Sequence, residues 1–140
     1  MGLSRFGGLW TYANATAIDV PRSDEDVVEL TFEHSAELGM DAKADTGELV
    51  IKVPGYYFGF ATISFIGTTG VTYFFEFRSN GELGGGYRAS ADGLTGGAVN
   101  ISLVGAGIFD VGDVITVRVY CDEDGETATI VDATVGLISI

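Results

Sequence analysis

The chain has 140 residues, of which 46% are hydrophobic and 19% charged, a composition that favours one folded domain and argues against a disordered tail. Its 20 acidic and seven basic residues give a formal charge of −13, which argues against nucleic acid or an anionic membrane as a partner. Two interpretations of this excess of acid stay open: it keeps the protein dispersed in water, or it complements a basic or cation-bridged partner. Twenty-one glycines and only two prolines, with many aromatic and β-branched residues, favour strands joined by tight turns over helices.

The first segment, residues 1–22, mixes glycines with aromatic residues and fits two interpretations. It is either the first strand of the domain or an arm that docks on a partner and becomes ordered there. We expect the main folded domain to occupy residues 23–140. The docking residues predicted for the arm are one cation and three aromatic residues: Arg5, Phe6, Trp10 and Tyr12.

The rest of the chain alternates between apolar and polar residues over short stretches separated by turn residues. These stretches predict strands at 28–33, 48–53, 56–66, 71–78, 99–104, 114–120 and 127–140. Asn80-Gly81 is a strong hairpin signal, because both residues tolerate positive φ. The last strand is apolar to its final residue, so we expect it to be paired and buried. The pattern as a whole predicts an all-β antiparallel sandwich of eight to ten strands.

The stretch from Tyr56 to Phe65 carries more aromatic surface than one core face needs. Successive side chains of a strand point to opposite faces, so Tyr57 and Phe58 cannot both point inward. The strand is therefore predicted to have two apolar faces, one in the core and one against another subunit. The alternative, in which all these aromatics fill the core of one monomer, conflicts with this alternation.

Residues that carry catalysis are scarce in this sequence. His34 is the only histidine and lies among charged neighbours, and Cys121 is the only cysteine, so neither an intrachain disulfide nor an ordinary zinc site is available. Nucleophile-elbow, phosphate-loop and dinucleotide-loop motifs are absent from the sequence. We predict that the protein is not an enzyme; a hydrolase built on a pair of carboxylates is the weakest alternative.

Two turns are candidate ligand sites. Asp122 and Asp124 could offer carboxylate oxygens to calcium, although a solvated turn explains the same residues. No other cofactor is expected. Tyr87 and Arg88 follow three glycines and could stack on and hydrogen-bond to a carbohydrate; the alternative is an ordinary glycine bend.

Three motifs carry a resemblance to a known superfamily. The run T-G-E-L-V-I-K-V-P-G-Y-Y-F at Thr46–Phe58, the G-D-V-I-T-V segment within Ile108–Val117 and the ending G-L-I within Val135–Ile138 resemble, in this order, motifs of complement globular heads and tumour-necrosis-factor-like domains. The resemblance implies a jelly roll of two antiparallel sheets, usually assembled as a compact homotrimer. The residues it assigns to the trimer interface or core are Tyr57, Phe58, Phe60, Phe75, Leu103 and Leu137.

The cellular location of the protein is predicted from its first residues and its hydropathy. The first ten residues lack the apolar stretch of a signal peptide, and no apolar run is long enough to cross a membrane, so we expect synthesis in a host cytoplasm. Acidic domains of this shape without an export signal resemble virion proteins of tailed phages. The expected function is a trimeric capsid decoration (cement) protein that docks on a major capsid protein and stabilises the particle. The alternative is a receptor- or carbohydrate-binding head at a fibre tip.

Overall fold

The computed structural model describes residues 5–23 and 28–140, except for the side chains of residues 83–86. These residues form twelve strands: β1 (Phe6–Thr11), β2 (Ala17–Val20), β3 (Val28–Glu29), β4 (His34–Leu38), β5 (Met40–Lys43), β6 (Glu48–Ile51), β7 (Gly55–Ile66), β8 (Thr72–Ser79), β9 (Glu82–Asp92), β10 (Val99–Phe109), β11 (Val114–Cys121) and β12 (Glu126–Ser139). The predicted count of eight to ten was too low. Strands β2, β4 and β5 have only four or five residues each, too few to show a periodic pattern, and the strand predicted at 28–33 is present only as β3.

The strands form two antiparallel sheets of six strands each. Sheet 1 has the order β10-β7-β12-β1-β4, with β2 added to β12. Sheet 2 has the order β5-β6-β11-β8-β9, with β3 added to β11. The predicted all-β jelly roll is confirmed.

The core lies between the two sheets and is built by alternation along each strand. In β7 every second residue from Tyr57 to Phe65 is buried. The ring of Phe65 packs between Tyr73 and Phe75, with centroid distances of 5.2 and 5.1 Å. The hydroxyl of Tyr73 donates to the Thr127 carbonyl oxygen at 2.9 Å, so this buried ring also has its polar end satisfied.

The Asn80-Gly81 hairpin is confirmed. Both residues have positive φ, 53° and 82°, and they connect β8 to β9. The Asn80 side chain also links this turn to β11: its amide nitrogen donates to Asp113 at 3.0 Å, and its oxygen accepts from the Val114 amide at 2.9 Å. The turn therefore anchors two neighbouring strands of sheet 2 at one end.

Within the first segment, Phe6–Thr11 and Ala17–Val20 are strands. β1 lies inside sheet 1 and pairs with β12 on one side and β4 on the other. Gly7 faces the core, where a Cβ would lie 2.5 Å from the Met40 sulfur. A glycine at this position lets β1 approach sheet 2 closely.

The last strand is paired as predicted, because β12 lies between β7 and β1. The prediction that its end is buried is wrong for alternate residues. Leu137 is buried in the core, whereas Ile138 and Ile140 are exposed. They face away from sheet 2, and none of the described strands covers that side of sheet 1.

Candidate interaction surface on sheet 1

The outer face of sheet 1, which points away from sheet 2, carries an exposed apolar surface. We call this surface the apolar half; it consists of Phe6, Leu38, Tyr56, Phe58, Phe60, Val104, Ile108, Ile138 and Ile140. Nine of the twelve large hydrophobic residues exposed in the described structure therefore lie on one surface. Such clustering differs from the single exposed apolar residues that are normal on a monomer, and it marks an interaction site.

Strand register brings these residues together from distant parts of the chain. Phe58 lies opposite Ile138 on one side, and Phe60 lies opposite Val104 on the other. Ile138 in turn lies opposite Phe6 of β1. Phe6 lies opposite Leu38 of β4, so the apolar half extends across five adjacent strands from β10 to β4.

A glycine in β12 shapes this surface. Gly136 lies opposite Phe60, and a Cβ at Gly136 would lie 2.4 Å from the Cζ atom of that ring. The Phe60 ring therefore rests directly on the backbone of the neighbouring strand. The aromatic surface is flatter than it would be with a side chain at position 136.

The other end of the same face, which we call the polar half, has short polar side chains. Two rows of opposed residues cross the strands here: Ser102, Thr62, Thr134, Trp10 and His34 form one, and Asn100, Ser64 and Asp132 form the other. A groove of about 390 Å³ runs along the residues of these rows that lie on β10, β7 and β12, and reaches Tyr12. Sheet 1 therefore presents two chemically different surfaces side by side.

An aromatic cluster borders the polar half. The Trp10 and His34 rings stack with centroids 5.8 Å apart, and Tyr12 lies 6.2 Å from the same imidazole at a tilted angle. The nearby hydroxyl of Thr11 donates to the Glu33 carboxylate. His34 is exposed, as the sequence predicted, but it is held between two aromatic residues.

Sheet 2 carries a polar cluster on its own outer face. Glu76 is 0% exposed, and its carboxylate accepts hydrogen bonds from Arg78 Nε at 2.7 Å and from Arg88 Nε at 3.0 Å. The Arg88 guanidinium also lies 5.6 Å from the centroid of the Tyr120 ring. This cluster joins β8, β9 and β11 on the side of sheet 2 that does not face the core.

Sequence reasoning missed this cluster, although one signal was present. Glu76 and Arg78 are two residues apart in a strand, so they share a face, and that face is opposite to the one that Phe75 and Phe77 bury. The partner Arg88 follows only from the register of β8 with β9. That register is not encoded within any single stretch of sequence.

The six residues predicted for the trimer interface or core divide between the core and the outer face of sheet 1. Tyr57, Phe75, Leu103 and Leu137 are buried between the sheets. Phe58 and Phe60 lie in the apolar half. The two-faced strand inferred from the sequence is present in β7.

The four predicted docking residues do not form one surface. The backbone of Arg5 is fixed to the end of β12, since its amide donates to the Ser139 hydroxyl at 2.8 Å. Phe6 lies in the apolar half, whereas Trp10 and Tyr12 border the polar half. Their role in docking stays a prediction, and any such contact would use a sheet face.

The predicted carbohydrate residues lie on opposite faces of β9. The Tyr87 ring covers Gly105, where a Cβ would lie 2.8 Å from it, and its hydroxyl donates to the Ala106 carbonyl oxygen. Arg88 points to the other side and bonds to Glu76. The structure does not bring these two side chains together.

The predicted calcium residues use their carboxylates in contacts within the chain. Asp122 accepts a hydrogen bond from the Thr72 amide at 3.0 Å, and Asp124 pairs with Arg22 at 3.4 Å. Within residues 5–23 and 28–140, no three His, Cys, Asp or Glu side chains are grouped as a metal site would need. Calcium binding by the two aspartates stays a prediction.

Two titratable groups are shifted by their surroundings. Burial raises the pKa of the Cys121 thiol, and the nearby carboxylates of Glu126, Asp122 and Glu123 raise it further. The hydrogen bond from the Asn80 side chain lowers the pKa of Asp113, and a bond with the Asp110 backbone amide adds to this shift.

In the described ranges, no helix has the length and hydropathy required to cross a membrane.

Comparisons with known proteins define the class of fold. No family model and no curated protein matches the chain. The structure of murine APRIL at pH 5.0 matches with a TM-score of 0.65 and 15% identity, over 99% of this chain and 100% of that one. The globular domain of zebrafish complement 1qA protein matches with a TM-score of 0.65 and 16% identity, over 99% and 98%. The chain therefore has the jelly roll of tumour-necrosis-factor-like and complement globular-head domains, as its motifs predicted.

Proposed function

We propose that this chain is a non-enzymatic structural protein that assembles as a homotrimer through the apolar half of sheet 1. The observation that carries the proposal is the cluster of nine exposed large hydrophobic residues on that face. Leaving such a surface in water is unfavourable by roughly 25 cal/mol per Å² of apolar area. A second and third copy of the chain would cover it.

The shape of the apolar half favours a ring. Val104 and Ile108 lie on the edge strand β10, whereas Phe6 lies on β1 towards the other side of the sheet. An edge of one subunit placed on the face of the next is a heterologous contact, and such contacts close into a ring under cyclic symmetry. The resemblance of the three sequence motifs supports a ring of three.

We also propose a role for the trimer. We place it on a phage virion as a capsid decoration protein, made in the host cytoplasm and bound to a major capsid protein. The formal charge of −13 supports a basic protein partner and opposes contact with nucleic acid or an anionic membrane. A rigid sandwich suits a role in which the protein reinforces a shell.

The oligomeric state is tested with a matched pair of substitutions. Ile108 lies in the apolar half and Val111 lies outside it, and each is 65% exposed. Light scattering should give three times the 14.7 kDa chain mass for the wild type and for Val111→Asp. Ile108→Asp should give a smaller mass with an unchanged circular dichroism spectrum. A wild-type monomer, or a trimer that tolerates Ile108→Asp, would contradict the proposed interface.

The virion role is tested by co-sedimentation of the purified trimer with tailed-phage particles stripped of their decoration proteins. The trimer is expected to sediment with particles of its own phage and to slow their thermal disruption. Val111→Asp serves as the control, because it leaves the apolar half intact. A trimer that neither binds particles nor stabilises them would refute the decoration role while leaving the trimer itself in place.

A further inference from the structure

We infer that the polar half of sheet 1 is a binding platform for a neutral, unbranched oligosaccharide. This inference goes beyond the proposed structural role, and it does not depend on assembly of the chain into trimers. It rests on the geometry of two cross-strand rows, the chemistry of their side chains and an aromatic border.

The platform is long and shallow. Its first row runs from Ser102 on β10 to His34 on β4 and crosses five adjacent strands. Four strand spacings give the row a length of about 19 Å. This length suits several linked sugar rings and exceeds what a single small ligand needs. The groove of about 390 Å³ is also within the size range of ligand sites.

The polar side chains of the groove match a polyhydroxylated ligand. The first row supplies three hydroxyl side chains, those of Thr62, Ser102 and Thr134. The second row supplies a serine, an amide and a carboxylate: Ser64, Asn100 and Asp132. Hydroxyls and amides both donate and accept hydrogen bonds, as sugar hydroxyls do. Among the described residues, no lysine, arginine or glutamate lines the groove, although the chain has 27 charged residues of these types and aspartate together. An ordinary solvated sheet face would carry more of them.

The aromatic border supplies the apolar contact that sugar rings require. Tyr12 lines the groove and is 61% exposed, so the face of its ring is available to a ligand. Its ring is held by His34, which itself stacks on Trp10. The three rings thus form a preformed wall, and the ordering cost of a stacking contact is reduced.

The backbone beside the wall is irregular in a way that positions a carboxylate. Ala13 has a positive φ of 48°, which is uncommon for a residue with a side chain. Its amide donates to Asp132 Oδ1 at 2.9 Å, and the pairing of β12 with β7 shifts register between Ile130 and Asp132. Bulges often reorient a side chain next to a functional site. Among the described residues, Asp132 Oδ2 has no hydrogen-bond donor, so it can accept from a ligand hydroxyl.

The charges near the groove determine which sugars fit. Asp132 lies in the groove and Glu33 lies beside the aromatic border, and the described residues that line the groove include no cation. A sialylated or sulfated chain would bring further negative charge to a protein with a formal charge of −13. Neutral glycans are therefore the expected class.

The test is a titration of the isotope-labelled full chain, followed by the shifts of its backbone amide signals. The probes are cellotriose, maltotriose and chitotriose, with sialyllactose as the anionic comparison. At least one neutral trisaccharide should shift the amides of Tyr12, Ser102 and Thr134 with a dissociation constant at or below about 1 mM. Sialyllactose should bind at least about tenfold more weakly.

Substitutions localise the site. Tyr12→Ala should weaken binding about tenfold, and Tyr12→Phe should restore most of it, because the ring and not the hydroxyl makes the stacking contact. Asn100→Ala should also weaken binding. Ser35→Ala, an exposed serine on β4 outside the groove, is the matched control and should bind as the wild type does.

Three results would overturn the inference: no shift with any neutral probe, a preference for sialyllactose, or binding that Tyr12→Ala and Asn100→Ala leave unchanged. Loss of particle co-sedimentation in Tyr12→Ala, without sugar binding by the wild type, would assign the surface to a protein partner instead. Light scattering on the same samples separates the two proposals. A monomer that binds a trisaccharide at these residues refutes the trimer and supports the platform.

Discussion

The substitution Glu76→Gln tests how much the buried cluster on sheet 2 contributes to stability. Glu76 is fully buried, and its two carboxylate oxygens accept from Arg78 and Arg88. Glutamine has the same shape but no charge, so both arginines would lose the carboxylate that they share, and an amide oxygen would replace only one of the two acceptors.

The magnitude follows from the burial of the three groups. Removing one partner of a buried ion pair costs about 3–5 kcal/mol, because the remaining charge is left uncompensated. The side chains of Arg78 and Arg88 are 13% and 35% exposed, so water can partly solvate their charges once Glu76 is gone. We therefore expect the lower end, about 3 kcal/mol of unfolding free energy. For a domain of this size the midpoint of thermal unfolding should fall by about 10 °C.

The assay is urea unfolding at fixed protein concentration, since assembly makes apparent stability concentration-dependent. Glu82→Gln, an exposed glutamate on β9, is the control and should change stability by less than about 0.5 kcal/mol. A double-mutant cycle with Arg88→Met should show coupling, because Glu76→Gln costs less once Arg88 is gone. A loss below about 1 kcal/mol for Glu76→Gln, or additive effects in the cycle, would refute this account of the cluster.

Three further predictions concern the shape of the apolar half, the buried thiol and the turn beside β11. Gly136→Ala should displace the Phe60 ring that lies over this glycine. The free energy of unfolding should fall by about 1–3 kcal/mol, and the mass measured by light scattering should also fall. Gly8→Ala on the paired strand has its nearest atom 3.8 Å away and should change neither quantity; equal effects of the two substitutions would contradict the argument. Because burial raises the pKa of Cys121, the folded state binds the thiol proton more tightly than the unfolded state does. The stability contributed by the protonated thiol is therefore present below the ordinary thiol pKa of 9.0 and is lost as the pH rises above it. Urea unfolding should therefore show a steeper alkaline loss of stability for the wild type than for Cys121→Ala, and parallel pH profiles would count against burial as the cause. Asn80→Gly keeps the positive φ of the turn but removes the side-chain hydrogen bonds to Asp113 and from Val114, so the pKa of Asp113 should rise towards 3.8 in a carbon-13 NMR titration; an unchanged value would show that Asn80 does not hold it down.

Much of the fold could be predicted because its information is local. The alternation in β7 and the Asn80-Gly81 turn are both contained in a few neighbouring residues, and both were predicted correctly. The resemblance carried by three motifs then gave the jelly roll. Of the strand predicted at 28–33 only Val28–Glu29 is a strand, and the short strands β2, β4 and β5 could not be predicted, since pairing with neighbouring strands, and not their own sequences, holds them extended.

The surfaces were harder to predict than the fold. The two-faced character of β7 was visible in Tyr57 and Phe58, but the extent of the apolar half needs Phe6 and Ile138 to lie opposite each other. The polar half likewise depends on Thr134 meeting Thr62 from a distant part of the chain. Long-range register makes these surfaces, and a single sequence does not display it.

The position of β12 between β7 and β1 has a consequence for how the protein is made. Until residues 126–139 have left the ribosome, β1 can pair only with β4 and β7 only with β10, so the growing chain has two incomplete half-sheets. Each presents an open strand edge and an uncovered apolar surface that invite contact with other nascent chains. Synthesis of the final strand should therefore be the committing step of folding. We expect ribosome-bound chains that end before β12 to depend on chaperones far more than the completed domain does.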